Sequence, residues 1–196
     1  MKRVFDILLS FVLLVLLSPI LACIAIIVSI TSTGGPFFGQ QRVGRNFAPF
    51  TIWKFRTMRP GSESAGQITV GKSDARITPV GKWLRKYKLD ELPQLWNVLI
   101  GEMSLVGPRP EVPKYVEKYN QQQQGILNVR PGITDYASLE YFEESELLAK
   151  AVDAEECYIK EIMPAKLELN LRYIEEQSFL GDLRILWSTI MKMMRA

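Results

Sequence analysis

LDELPQLWNVLIGEMSLVGPRPE, residues 89–111, sets adjacent carboxylates, Asp90 and Glu91, at a predicted helix start. Proline is tolerated only in a first helical turn, so Pro93 fixes that start at Asp90 or Glu91. Leu92, Leu95, Trp96 and Leu99 then follow the i, i+3, i+4, i+7 spacing of a buried stripe, and Gly101 closes the helix. Beyond it, a Gly- and Pro-rich loop carries Arg109 between Pro108 and Pro110.

The composition narrows the chemistry this segment can perform. The chain has no histidine and two isolated cysteines, Cys23 and Cys157, with no CxxC pattern. Zinc sites and imidazole bases are therefore excluded, leaving carboxylates, Arg, Lys and a hard metal ion. A disulfide framework is not expected, so a reducing compartment is the default for most of the chain. The formal net charge of +3 suits a surface meeting phosphates or anionic lipid, and it is too small to point to nucleic acid.

Upstream, residues 7–30 form an uncharged apolar run. As a straight helix it would be roughly 36 Å long, enough to cross a hydrocarbon core of about 30 Å. Three arrangements compete. A cleaved secretory signal fits poorly, because the run continues past Cys23. A single spanning helix would carry a kink at Ser18-Pro19, where proline loses one backbone hydrogen bond and crowds the Val15 carbonyl. A re-entrant helix–break–helix would return to its starting face. Lys2 and Arg3 precede the run, and Arg42, Arg45, Lys54 and Arg56 are the first charges after it. Basic flanks on both sides favour the same cytoplasmic face, which tips the balance towards re-entry.

Downstream of TSTGGP, the runs FFGQQR (37–42) and FTIWKF (50–55) predict a hairpin. Residues 59–75 read as a mobile loop, and Thr78-Pro79 opens a short helix over 79–88. Further helices are predicted near 112–124, over 143–163 as an acidic and exposed segment, and beyond Pro164 to about 177. The last segment, 181–195, gathers Leu183, Leu186, Trp187, Ile190, Met191 and Met194 on one face. Such a stripe is either core packing or a helix lying in a membrane interface. The fold expected is α+β and mostly helical, with a membrane segment over 1–35 and one catalytic unit over 36–196.

Acidic residues at a helix start are usually caps. Here Arg85 precedes Asp90 by one to two turns, and Arg109 sits in a rigid loop. Phosphates gathered by these arginines would lie beside a carboxylate, an arrangement suited to Mg²⁺-assisted phosphoryl transfer. One carboxylate could act as nucleophile and the other as metal ligand; the spacing does not say which is which. Lys54 and Arg56 alternate with Trp53 and Phe55 on the second hairpin strand. They would be phosphate or carboxylate partners if that face meets the site, and a solvated strand face otherwise.

These motifs resemble those of the small monotopic phosphoglycosyl transferases, bacterial enzymes that start glycan assembly on a polyprenol carrier. The resemblance rests on KRVFDILLS (2–10), Ser18-Pro19, FGQQRVG (38–44), WKFRTM (53–58), DARITPVGKWLRKYKLDELPQLWNVLIGEMSLVGPRPE (74–111) and RPGIT (130–134). It implies a re-entrant helix broken at Ser18-Pro19 in the bacterial inner membrane, with the catalytic unit on the cytoplasmic face. Asp90 would attack the β-phosphorus of a UDP-sugar with loss of UMP, with Glu91 as its Mg²⁺-associated neighbour. The phosphosugar would then pass to a polyprenyl phosphate such as undecaprenyl phosphate. Lys54, Arg56, Arg85, Arg109 and Arg130 are the implied substrate-binding residues, membrane lipid is an implied partner, and a homodimer is compatible. The likeness is to the minimal catalytic unit, without the additional spanning helices of larger relatives. The chain departs from the family at Asp135 and YASLEYFEE (136–144), where PGITG and an LAQVNG-like run are frequent. It also carries Lys88 where serine is frequent. A non-catalytic membrane scaffold and a Mg²⁺-dependent phosphohydrolase are the competing functions.

Overall fold

The computed structural model describes residues 1–62, 66–71 and 74–195. The chain opens with α1 (Lys2–Thr31), followed by an antiparallel hairpin of β1 (Phe37–Val43) and β2 (Pro49–Phe55). Then come α2 (Pro79–Lys86), a 3₁₀ turn (Leu89–Glu91), α3 (Gln94–Ile100) and β3 (Ser104–Val106). Short helices α4 (Pro113–Val116) and α5 (Gln121–Gln124) lead into a 3₁₀ turn (Gly125–Asn128) and β4 (Gly132–Thr134). Helices α6 (Tyr136–Glu140), α7 (Glu144–Leu148), α8 (Ala154–Cys157), α9 (Met163–Glu176) and α10 (Phe179–Arg195) complete a mostly helical fold.

Helix α1 runs as one element of 30 residues with Pro19 inside it. Pro19 cannot donate to the Val15 carbonyl, and the Ser18 hydroxyl donates to it instead at 2.8 Å. The serine therefore satisfies the acceptor that the proline strands. Both ends of α1 pack on the rest of the protein. Near its start, the buried Asp6 carboxylate accepts the Ser104 hydroxyl at 2.7 Å. Phe5, Leu9, Leu13 and Leu14 pack there against a core that includes Phe50, Leu95, Val98, Val106 and Tyr173. Near its end, Ile24 and Val28 are buried with Phe55 and Leu84. Each such aliphatic burial contributes about 1.5–3 kcal/mol, so the far end is anchored to the same body as well. Between them Val15, Leu16 and Ile20 are exposed.

The hairpin forms where the β-prone runs predict it, in the register Phe37↔Phe55 to Val43↔Pro49. A second sheet, the parallel pair β3–β4, has no counterpart in the sequence reading. It is only three residues per strand, too short for periodicity to show. Gly107 and Gly132 make it possible. A Cβ built on Gly132 would lie 2.1 Å from the Gly107 nitrogen, so the loop carrying Arg109 presses directly on the RPGIT turn.

Five further expectations are corrected. The helix expected from Asp90 or Glu91 starts at Gln94, with Asp90 and Glu91 in the preceding 3₁₀ turn. Its buried face is Gln94, Leu95, Asn97 and Val98, while Trp96 is exposed. Asn97 faces inward because it binds the β2 backbone, donating to Thr51 O at 2.7 Å and accepting from Trp53 N at 3.1 Å. The 143–163 stretch is broken rather than continuous, and Leu148, Tyr158, Ile162 and Met163 are buried in a core with Tyr115 and Tyr119. Pro164 does not interrupt the chain; it sits in the first turn of α9, after a π-turn (Tyr158–Ile162) where a proline ring would otherwise crowd the carbonyl four residues back. The single helix expected over 112–124 is split into α4 and α5.

Part of the 59–75 loop, residues 63–65 and 72–73, lies outside the described residues. The remainder is tied down: Arg59 N donates to Arg76 O at 2.9 Å and Gly71 N to Ser145 O at 2.8 Å. In α10, Asp182 and Ile185 face the protein, while Leu180, Trp187, Ile190 and Met194 are exposed. Core packing therefore accounts for only part of the C-terminal apolar stripe, with Leu186 against the core and Trp187, Ile190 and Met194 exposed.

Candidate active site

The site forms where α2, the 3₁₀ turn, β2 and the Arg109 loop converge. Thr78 caps α2 by accepting Gly81 N at 2.9 Å. Gly81 lets the helix approach β2's end, since a Cβ there would lie 2.1 Å from Thr57 O. That approach lets Arg85 Nε donate to Thr57 Oγ1 at 2.8 Å, with a nitrogen of the same side chain on Thr69 Oγ1 at 3.0 Å. Lys88 then takes a left-handed conformation, φ 54°, which turns the chain sharply into Leu89-Asp90-Glu91.

The two carboxylates have opposite surroundings. Glu91 is gripped by Arg109: Nη1 donates to Oε2 at 3.1 Å and Nη2 to Oε1. Lys54 Nζ donates to Oε1 at 3.1 Å. Burial works against the Glu91 charge, but Arg109 and Lys54 outweigh it and hold the carboxyl well below its usual range. Asp90 is buried, and its Oδ1 has no hydrogen-bond partner among the described residues. Burial and then the Glu91 charge push its carboxyl upward, against the pull of Lys54, Arg85 and Lys88. Burial also brings Lys54 down to about 8, with Glu91 resisting.

The two acids therefore sit in opposite electrostatic environments. Glu91 is a fixed anion that holds two cations in place. Asp90 is a poorly solvated carboxylate with an unengaged oxygen, the condition in which a carboxylate is most nucleophilic. The positive field at the pair comes from these side chains, since the helix that follows starts only at Gln94.

Of the predicted substrate-binding residues, Lys54, Arg85 and Arg109 converge on the pair. Arg56 donates to the carbonyls of Gly35 and Phe37, at 3.1 and 3.0 Å, bracing the exit from α1. Arg130 Nε donates to Gly101 O at 3.0 Å and its side chain lines a separate cavity. Two contributors escaped the sequence reading. Asp135, fully buried, accepts Arg109 N at 3.1 Å and Ser138 N at 2.6 Å, so it joins the Arg109 loop to α6. Phe142 lies 5.0 Å from Lys88 Nζ and 5.5 Å from Lys192 Nζ. The departures at 88 and 135–144 were visible signals, but their partners lie far apart in the chain.

Among the described residues no three or more Asp, Glu, His or Cys side chains gather as a metal cage. Mg²⁺ needs none when a substrate supplies phosphate oxygens, because one or two carboxylates suffice. Among the described residues Asp90 Oδ1 has no partner and Glu91 Oε2 accepts one donor, so the pair fits that ion.

The fold and site define a protein with an exposed apolar helix and a cation-lined carboxylate pair suited to phosphate chemistry. The chain belongs to the bacterial sugar transferase family, whose profile matches residues 1–196. It is 38% identical over 196 residues to the UDP-glucose:undecaprenyl-phosphate glucose-1-phosphate transferase of Escherichia coli (strain K12), covering 98% of this chain and 40% of that protein. It is 36% identical over 192 residues to the UDP-N-acetylgalactosamine-undecaprenyl-phosphate N-acetylgalactosaminephosphotransferase of Aeromonas hydrophila, covering 96% and 42%. The chain thus spans about two fifths of the length of these two relatives. It is also 36% identical over 194 residues to the uncharacterized sugar transferase EpsL of Bacillus subtilis (strain 168), covering 99% and 87%.

Proposed function

We propose that this chain is a membrane-bound phosphoglycosyl transferase that moves a sugar-1-phosphate from a UDP-sugar to a polyprenyl phosphate, undecaprenyl phosphate being the acceptor in its relatives' names. The observation that carries this reading is the buried Asp90 carboxylate with an unengaged oxygen beside a cation-clamped Glu91. An Asp90 oxygen attacks the β-phosphorus, and the bond from that phosphorus to the bridging oxygen breaks, its electron pair leaving with UMP. A phosphate oxygen of the acceptor then attacks the same phosphorus, and the aspartyl–phosphorus bond breaks to return the Asp90 carboxylate. The product is a polyprenyl diphosphosugar.

Lys54, Arg85 and Arg109 orient the diphosphate and balance its charge, and Glu91 keeps Lys54 and Arg109 in position. Mg²⁺ held at Asp90 and Glu91 supplies further neutralisation of the phosphate oxygens when bound. Transfer of this kind depends mainly on positioning and charge balance, which the site provides without histidine.

The membrane placement we propose is monotopic and re-entrant at Ser18-Pro19, on the cytoplasmic face of the inner membrane. Its support is that both ends of α1 pack on the same body while the segment around Pro19 is exposed. A helix crossing the bilayer would carry its far end away. The exposed apolar face of α10, with Arg184, Lys192 and Arg195 around it, fits a helix lying in the interface.

The reading is tested by incubating the membrane-bound chain with a panel of UDP-sugars, polyprenyl phosphate and Mg²⁺. UMP and a lipid-phase sugar product are expected. Free sugar phosphate or inorganic phosphate without lipid product would identify a phosphohydrolase. No UMP release from any donor would identify a scaffold.

A further inference from the structure

A second cationic cavity lies away from the carboxylate pair. It has a volume of about 230 Å³ and is lined by Lys2, Arg3, Asp6, Arg45, Arg130 and Gln177, among others. At roughly 30 Å³ per water, it has room for a phosphate group with several waters. None of its cations contacts Asp90 or Glu91, whose positive partners are Lys54, Arg85, Lys88 and Arg109.

The cavity carries more positive charge than its own anions balance. Lys2 is paired with Asp182. Asp6 is committed to Ser104 Oγ and Leu105 N. Against these two acids stand Lys2, Arg3, Arg45 and Arg130, leaving an excess of two positive charges. Arg3 is spent on α3's C-terminal end, donating to Val98 O at 2.8 Å and Leu99 O at 3.2 Å. Arg45 and Arg130 differ. Each uses only Nε, on Asn128 O at 3.1 Å and Gly101 O at 3.0 Å. Their terminal nitrogens have no partner among the described residues, both line the cavity, and guanidinium forks match phosphate oxygens.

Arg45 is held there by an unfavourable backbone. The two residues after it, Asn46 and Phe47, both have positive φ, 55° and 62°. Left-handed geometry is unusual for a bulky side chain such as Phe47, and strain of this kind concentrates at binding sites. Lys2 and Arg3 also mark the point where the apolar run of α1 begins, which puts the cavity at the level of lipid headgroups when α1 enters a bilayer.

We propose that Arg45 and Arg130 form a second anion site that takes a phosphate group, supplied by an anionic phospholipid headgroup or by free phosphate. The site moors the start of α1 and is independent of the transfer reaction.

The full chain in phosphatidylcholine nanodiscs, without donor or acceptor, is titrated with dihexanoyl phosphatidylglycerol and separately with inorganic phosphate, following the thermal midpoint. A bound ligand raises that midpoint. The expected result is a rise for the wild-type chain, with Arg45→Ala needing about tenfold more ligand for the same rise, from loss of one charged fork. That pattern with the lipid alone assigns the site to headgroups, and the same pattern with inorganic phosphate assigns it to free phosphate. No rise for the wild-type chain, or equal responses from wild type and variant, overturns the proposal. Arg45→Gln replaces Arg45→Ala if the alanine variant does not fold.

Discussion

Arg109 binds Glu91 through two nitrogens, Nη1 on Oε2 at 3.1 Å and Nη2 on Oε1, while Oδ1 of the adjacent Asp90 has no partner among the described residues. The difference predicts different costs of neutralising each acid. Glu91→Gln leaves Arg109 and Lys54 without their counter-ion. It should destabilise the protein by ~3 kcal/mol, the low end for breaking a buried pair, since Arg109 keeps 30% of its side chain exposed. Asp90→Asn removes a poorly solvated charge and should leave the thermal midpoint unchanged or raised. Thermal unfolding of the two variants checks this, and equal losses would contradict the division of roles.

The pH profile of transfer should be a bell. Asp90 attacks only when ionised, and its carboxyl lies above the usual range because of burial and Glu91. Activity should therefore rise with pH through a value above that of an ordinary aspartate. Burial brings Lys54 to about 8, so its charge, and activity with it, should fall as pH passes about 8. Lys54→Arg stays charged and should remove the alkaline limb. Stability follows the opposite sign. Unfolded lysine holds its proton to ~10.4, so between about 8 and that value the unfolded chain binds more protons. The contribution of Lys54 to stability therefore rises with pH there.

Chelation separates metal dependence from electrostatics supplied by the side chains. EDTA should abolish UMP release, and added Mg²⁺ should restore it. Calorimetric Mg²⁺ binding in the presence of UDP-sugar should be lost in Asp90→Asn. Full activity in EDTA would exclude the assignment of Mg²⁺ to this pair.

Pro19→Ala restores the missing hydrogen bond and favours a straight α1 by about 3 kcal/mol. In cells, reporter tags at both ends of the wild-type chain should be accessible from the cytoplasm only. In the variant, a fraction of N-terminal tags should move to the opposite face. A wild-type N-terminus on that face would refute re-entry.

Much of this arrangement was legible where chemistry is local. The β-prone runs of the hairpin and the Thr78-Pro79 cap each impose structure within a few residues. The carboxylate pair was legible as well, but spacing alone did not give the different surroundings of its two acids. Those surroundings depend on Lys54 and Arg109, 37 and 18 residues away in sequence from Glu91. The β3–β4 pair was hidden for the same reason, since it rests on two glycines meeting across the fold. Trp96 was misplaced because a periodicity rule assigns apolar residues inward, whereas Asn97 had two backbone bonds to make.

The most direct test of the central claim is a trapping experiment. The membrane-bound chain is mixed with a UDP-sugar labelled in the sugar, with Mg²⁺ and without polyprenyl phosphate, and digested for peptide mass spectrometry. The account predicts one UMP released per protein, with a phosphosugar on the peptide containing Asp90, and neither in Asp90→Asn. Turnover by Asp90→Asn, or UMP release by the wild-type chain with no label on that peptide, would contradict it.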